Sequence, residues 1–307
     1  MSENYFTEYV MINGINQFFL HIPNSNNEVM IMLHGGPGAP NSYIAYYHQP
    51  YLNFCNVVYY DQRGAGKTRL KNKDKTTSLE VMLEDLKQTI QYIKNKYKTD
   101  RVVLAGHSWG TMLGTQYIIK YPNDVIGYIG YGQCVDSELA DRSWYEYLKN
   151  AVLKSKNKRD IKKINAVNDS YPNIDRRKYF RDTILLSRLD FKYGYKANDF
   201  TKIYRKSPIM TLRDGIQMLN SVNNNKNLIK DVLYDYSILD IVEYKLPIYY
   251  ILGRHDELAS GALAEKYFQT IIAPKKDLYW IEDAGHMLET DNPSSLFKTV
   301  HKIISAL

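Results

Sequence analysis

Ser108 stands in Gly106-His-Ser108-Trp-Gly110, a G-x-S-x-G pattern with the apolar run Val102 to Ala105 directly before it and a helical pattern from Thr111 directly after it. A serine on a sharp strand-to-helix turn presents its hydroxyl at the top of a sheet, and flanking glycines let the backbone take that turn without a side-chain clash. The same five residues would also suit a serine that merely caps a helix; the strand before and the helix after favour a nucleophile. Attack on a carbonyl leaves negative charge on the substrate oxygen, so backbone N–H donors must face it. One is expected from Trp109, the residue after the serine. The other is expected from the loop His34-Gly-Gly-Pro-Gly38, which follows the apolar run Val29 to Leu33, and is assigned to Gly36. A tight turn without ligand contact is the alternative for that loop.

A serine nucleophile needs a base and an acid, which follow it in the order acid, then base. Two downstream segments lie just past apolar runs: Gly253-Arg-His-Asp256 and Glu282-Asp-Ala-Gly-His286. Groups at strand carboxyl ends converge on the crevice above a parallel sheet. His286 is therefore expected to take the proton from Ser108 and return it to the leaving group, with Asp256 fixing its tautomer and stabilising the imidazolium. Glu257, Asp283 and Asp240 are competing acids; His107 and His255 read as structural or pocket-lining.

These groups need a scaffold, and the apolar patterning supplies one. Tyr9 to Ile12 and Phe18 to Ile22 flank Asn13-Gly14, the signature of a hairpin. Val29 to Leu33 and Val57 to Tyr60 are continuous apolar runs of the kind buried on both faces of a parallel sheet. Thr77-x-x-Glu80 reads as a capping box, followed by Met82, Leu86, Ile90, Ile93 and Tyr97 at helical spacing up to about Lys98. Strand and helix patterns alternate through Val125 to Gly130, then give way to charged, helix-like segments. Strands resume at Pro247 to Leu252 and Leu278 to Ile281, with helices over 258–271 and 294–307. The expected architecture is a mostly parallel α/β core, residues 1–133 and 246–307, interrupted by a helical cap, residues 134–245.

Composition narrows the function classes. A chain of 307 residues with 44% apolar content and no apolar run of about 20 residues fits a globular protein that does not span a membrane. The first eight residues lack the basic and then apolar order of a secretory leader, so a cytoplasmic location is expected. Cys55 and Cys134 have no metal-ligand spacing, and neither a metal nor a cofactor is expected. The net charge of +7 lies wholly in 134–245, where 22 Lys and Arg oppose 15 Asp and Glu. Mixed signs and the absence of a nucleic-acid motif read as a solvated helical surface, so no nucleic-acid partner is expected. Gly64-Ala-Gly-Lys-Thr68 ends like a phosphate loop, but the position that should open it with glycine is Asp61.

Taken together, His34-Gly-Gly-Pro-Gly, Asp61-Gln-Arg-Gly-Ala-Gly-Lys-Thr, Gly106-His-Ser-Trp-Gly, Gly253-Arg-His-Asp and Gly285-His286 resemble the proline iminopeptidase family of α/β hydrolases over roughly 25–133 and 246–300. The resemblance implies that Ser108, Asp256 and His286 form a triad acting through an acyl-enzyme, that the first glycine-rich loop contributes to the oxyanion hole, and that Asp61-Gln-Arg-Gly supports the site. It implies a small aminoacyl or short-peptide amide or ester as substrate. Family members hold the substrate's free amine with cap glutamates. Asp136, Glu138, Asp141 and Glu146 are the acids at the start of the cap, and Glu138 and Glu146 are taken as the candidate substrate contacts. A general carboxylesterase or amidase would keep the same triad, and a non-catalytic ligand-binding homologue would keep the fold.

Overall fold

The computed structural model describes residues 5–72, 77–167, 171–172 and 175–307. Residues 1–4, which entered the reading of a missing leader, lie outside them.

Eight strands form one sheet in the order β1-β2-β4-β3-β5-β6-β7-β8. β1 (Phe6–Ile12) and β2 (Ile15–Ile22) make the expected hairpin, with Asn13 at φ 43 and Gly14 at φ 75 forming its turn. Positive φ at both central residues is what a right-twisted two-residue hairpin demands and what Asn-Gly tolerates. β2 pairs antiparallel with β4 (Asn56–Asp61). From there the sheet is parallel, through β3 (Val29–Leu33), β5 (Val102–His107), β6 (Val125–Tyr131), β7 (Ile248–Gly253) and β8 (Lys276–Ile281). Every residue of β3, β4, β5 and β7 is buried, as strands covered on both faces must be.

Of the helices outside the long insertion, α1 (Gly66–Lys71) follows β4, α2 (Leu79–Tyr97) precedes β5 and α3 (Trp109–Lys120) follows it. The apolar stripe of α2, Met82, Leu86, Ile90 and Ile93, packs in one core with Leu113 and Tyr117 of α3. Its cap differs from the expected box by one residue. Ser78 is the N-cap and accepts from the Val81 amide at 3.3 Å, whereas Thr77 is only 6% exposed and packed inward.

Between β6 and β7 run α4 (Ser137–Lys154), α5 (Lys158–Ala166), α6 (Arg176–Tyr193), α7 (Phe200–Arg205) and α8 (Leu212–Leu219), with no strand among the described residues. α4, α5 and α6 share their own core around Trp144, Leu148, Ile164, Leu186 and Leu189. Leu228, Val232, Tyr236, Ile238 and Tyr244 pack instead into the core of the sheet, so the chain rejoins the sheet layer before residue 246. Beyond β7, α9 (Gly261–Thr270) packs in the same core as α2, and α10 (Pro293–Ile304) packs on the opposite face of the sheet with Leu296, Phe297 and Val300. Among the described residues no helix is long and apolar enough to cross a membrane.

The Gly64-to-Thr68 segment cradles no anion. The Lys67 amide donates to Asp61 Oδ2 at 2.7 Å, and a Cβ on Gly66 would lie 2.2 Å from that oxygen, so an internal carboxylate fills the mouth of the loop.

Candidate active site

Ser108 sits between β5 and α3 at φ 51, ψ −120, a left-handed conformation that L side chains rarely adopt. Close packing of backbones enforces it. A Cβ on Gly106 would lie 2.6 Å from the Gly110 carbonyl oxygen, and one on Gly110 would lie 2.2 Å from that of Leu33. The hydroxyl makes no capping bond to α3; Ser108 Oγ lies 2.9 Å from His286 Nε2. On the other side of the ring, His286 Nδ1 lies 3.1 and 3.0 Å from the two oxygens of Asp256. Nδ1 can only donate to a carboxylate, which leaves Nε2 free to accept from the serine.

Two loops deliver the acid and the base, and they are stitched together. The Arg254 amide donates to the Ile281 carbonyl and the His255 amide to that of Ala284, both at 3.0 Å. A Cβ on Gly253 would lie 2.2 Å from the Gly285 carbonyl oxygen, so glycine is needed where the loops cross. Burial by itself favours neutral His286, but the buried Asp256 carboxylate outweighs it and lifts the histidine pKa above its ordinary value. Burial likewise opposes the charge on Asp256, and the histidine, with the Ala259 amide at 3.0 Å, more than compensates and lowers its pKa. The competing acids are elsewhere: Asp240 and Asp283 are exposed, and Glu257 is half-buried with no bond to His286 among the described residues.

His107 is held away from base chemistry. Its Nε2 donates to the His286 carbonyl at 2.8 Å, its ring stacks on Tyr131, and burial lowers its pKa. His255 stacks on Tyr195.

Gly36, at φ 115, and Trp109 line one cavity of about 200 Å³ together with Ser108. Gly35 runs against the serine, where an added Cβ would lie 3.3 Å from Ser108 Cβ. Gln62, from the Asp61-Gln-Arg-Gly segment, ties Trp109 to the start of the His34-to-Gly38 loop. Its Oε1 accepts from Trp109 Nε1 at 2.8 Å, its Nε2 donates to the His34 carbonyl at 3.1 Å, and its amide donates to His34 Nε2 at 3.1 Å. Accepting at Nε2, the His34 ring donates from Nδ1 to the Gly35 carbonyl, and burial drops its pKa to about 4. Arg63 of the same segment pairs with buried Asp85 of α2 at 2.7 Å, and its Nη2 donates to the Asn13 carbonyl in the hairpin turn.

The structure does not bring Glu138 and Glu146 to this cavity. Glu138 is 68% exposed, pairs with Arg142 and lines a separate groove beside Tyr234; Glu146 points to solvent. Asp141, one turn along α4, does line it. Tyr179 donates to its carboxylate at 2.7 Å, and burial pushes its pKa up to about 7. Cys134 lines the same cavity with its thiol pushed up to about 12 by burial, which leaves it protonated and unreactive.

Comparison with known proteins gives a consistent picture. The family described as serine aminopeptidase, S33, matches residues 24–293. The probable aminopeptidase YbaC of Bacillus subtilis is 24% identical over 96% of this chain and 92% of its own length. A proline iminopeptidase of Heyndrickxia coagulans is 25% identical over 92% and 93%. Among solved structures, the proline iminopeptidase of Mycobacterium smegmatis superposes with a TM-score of 0.68 at 16% identity, covering 98% of each chain. VinJ gives 0.67 at 17% identity over 98% and 99%. At such identities the structural likeness speaks for the fold alone, which is that of the α/β hydrolases.

Proposed function

The chain belongs to the serine aminopeptidase family S33 and is a serine hydrolase, and from that premise we propose that it releases the N-terminal residue of a small aminoacyl or peptide amide or ester by acyl transfer to Ser108. In this reading His286 takes the serine proton as attack begins and returns it to the leaving group, while Asp256 holds the imidazole in the donating tautomer and stabilises its cation. The amides of Gly36 and Trp109 receive the charge that develops on the carbonyl oxygen. Gln62 keeps those two amides in register, and residues 134–245 act as the cap over the crevice. The observation that carries the proposal is the line from Ser108 Oγ through His286 to Asp256, with contacts of 2.9 and 3.0 Å.

Asp141 supports the aminopeptidase side of the reading. A free N-terminal amine is a cation, and burying it requires a carboxylate close by to offset desolvation. Asp136 and Asp141 both line the cavity with Ser108, but Asp136 Oδ1 is engaged at 2.8 Å as the N-cap of α4, whereas Asp141, with its pKa raised to about 7 by burial, is the carboxylate that an arriving ammonium would draw into the charged form.

Hydrolysis of aminoacyl arylamides, free and N-blocked, beside short aryl esters tests the proposal. Free-amine substrates should exceed blocked ones at least tenfold in kcat/KM. Asp141→Asn should erase that preference, while Glu138→Gln and Glu146→Gln should change it less than twofold. Equal rates on free and blocked substrates would overturn amine recognition and favour a general esterase or amidase on the same triad.

A further inference from the structure

Acyl transfer needs two places, one for the acyl group and one for the group that leaves. The acyl carbon must lie between Ser108 Oγ and the amides of Gly36 and Trp109, all of which line the first cavity. The leaving atom must lie where His286 Nε2 can hand it a proton, which puts the leaving group on the histidine side. There the structure has a second cavity of about 200 Å³, walled by His286 itself with Asp190, Phe191, Tyr195, Lys196 and Phe200. Only Ser187 and Leu258 line both cavities, so the nucleophile opens on one and the base on the other.

The lining of this second cavity is chemically specific. Phe191 and Phe200 meet edge to face at 5.9 Å and make an apolar wall. Asp190 Oδ1 accepts from Trp144 Nε1 at 3.1 Å, which anchors the carboxylate beside the wall between the two cavities. Asp190 Oδ2 accepts no hydrogen bond among the described residues, whereas the oxygens of neighbouring Asp291 are taken by the amides of Ala197 at 3.1 Å and Gly285 at 2.9 Å. Lys196, the one Lys or Arg among the described residues that line the cavity, lies with Nζ 3.8 Å from the centre of the Phe191 ring and donates to the Phe191 carbonyl, which holds its charge at the apolar wall.

An amide that is cleaved releases an amine, which becomes an ammonium in neutral water, and a free amino acid also carries a carboxylate. We propose that this cavity is the leaving-group subsite and that it takes a single α-amino acid with an aromatic or large apolar side chain, as released from the C-terminal end of a dipeptide. Asp190 meets the departing amine, Lys196 the α-carboxylate, and Phe191 with Phe200 the side chain. The assignment rests on acyl transfer through Ser108.

Microscopic reversibility gives the test, because an amine that attacks the acyl-enzyme must occupy the place of the amine that left. The holoprotein is acylated with p-nitrophenyl acetate, the ester adduct on Ser108 is verified by mass, and phenylalanine, phenylalaninamide or glycine is added at mildly alkaline pH. The acceptor nitrogen attacks the acyl carbon and a C–N bond forms as the C–O bond to Ser108 breaks. The nitrogen's proton passes through His286 to the serine oxygen. Phenylalanine should divert the acetyl group to N-acetylphenylalanine with saturation, half-maximal at a concentration at least tenfold below that of glycine and at least fivefold below that of phenylalaninamide. Phe191→Ala should remove at least fivefold of the advantage over glycine, and Lys196→Gln should remove the difference between acid and amide; Asp190→Asn should weaken all three acceptors. Transfer that is linear in concentration and equal for the three acceptors, with the Ser108 adduct present, overturns the subsite and leaves the acyl-enzyme reading standing. Absence of the adduct overturns both.

Discussion

Ser108 is held at φ 51 by backbone packing on both sides, and strain of this kind persists only where the surroundings over-determine it. If that strain serves nucleophilic attack, Ser108→Ala should lose about a millionfold in kcat with an unchanged circular dichroism spectrum. Asp256→Asn should lose on the order of ten-thousandfold through the wrong tautomer, while Asp240→Asn and Asp283→Asn, both at exposed positions, should stay within about twofold. The pH profile adds an independent check. The base must be neutral to act and its pKa is raised, so kcat/KM should fall as pH drops through a value above the ordinary 6.5 or so. Removing the Asp256 charge takes away the cause, and the residual activity of Asp256→Asn should show that limb displaced toward acid. Gln62 makes a different prediction. Losing its bonds to Trp109 and His34 would loosen the proposed oxyanion donors without touching Ser108, His286 or Asp256, so Gln62→Leu should cost about a hundredfold in kcat with little change in KM. A fall in thermal stability with kcat intact would reduce Gln62 to a purely structural role. The convergence of Ser108, His286 and Asp256 could be anticipated because each lies just past an apolar strand. Asp141 was harder to single out from Glu138, three residues away, since a helix turns only about 60° short of a full circle over that spacing. The better signal was the buried face of α4, Ser137, Ala140, Trp144, Tyr145, Leu148 and Val152, within which Asp141 falls, while Glu138 lies at its edge and Glu146 well outside it.

At the level of elements, the strands could be read because both faces of the sheet are covered and their sequences are nearly continuous apolar runs. The hairpin could be read because Asn13-Gly14 suits one turn geometry. The N-terminus of α2 was displaced by one residue, since Thr77 and Ser78 can both cap and only tertiary packing, which draws Thr77 inward, decides between them. The return from the helical insertion to the sheet was invisible for a related reason. Leu228 to Leu246 is a short helical turn, Ile229–Leu233, followed by irregular chain, and its apolar residues join the core of the sheet without strand periodicity. Glycines separate the two kinds of constraint. Gly110 faces the backbone of Leu33, where an added Cβ has nowhere to go, so Gly110→Ala should cost about 1–3 kcal/mol or more in urea unfolding. Gly215 lies inside α8, where the nearest atom to an added Cβ is the flexible end of Met210 at 3.6 Å. Gly215→Ala should stabilise by about 0.5–1 kcal/mol. If both glycines responded alike, close backbone approach would not be what sets the elbow.

Across the whole molecule, one short segment joins the loops beside Ser108 to the helical insertion. Gln62 reaches Trp109, the Gly64 carbonyl accepts from Gln217 at 3.3 Å and Asn225 at 3.2 Å, and Lys67 pairs at 3.2 Å with Asp214 of α8, which also accepts from Tyr43. Asp61 lies at the root of this segment, fully buried, accepting from Ser42 Oγ and the Lys67 amide. Burial raises its pKa to about 7, against about 3.9 in an unfolded chain. Between those values the folded protein holds a proton that the unfolded chain does not, so this contribution to stability is full below about pH 4 and is lost as pH rises through about 7. Asp141, also raised to about 7, acts in the same direction. His21 and His34, lowered to about 4 by burial, act oppositely: their contribution is lost as pH falls from about 6.5 to about 4. The total pH dependence of the wild type therefore sums opposing contributions and identifies no one group, and a difference measurement is needed. In Asp61→Asn the titrating proton is gone while the shape remains. The unfolding free energy of wild type minus that of the variant should decline from pH 4 to pH 8 by up to about 4 kcal/mol, levelling off above the folded pKa of about 7. A difference that is flat across this range would mean that Asp61 is ionised throughout, and that Lys67 and the hydrogen bonds of Ser42 and the Lys67 amide offset the whole cost of burying its charge.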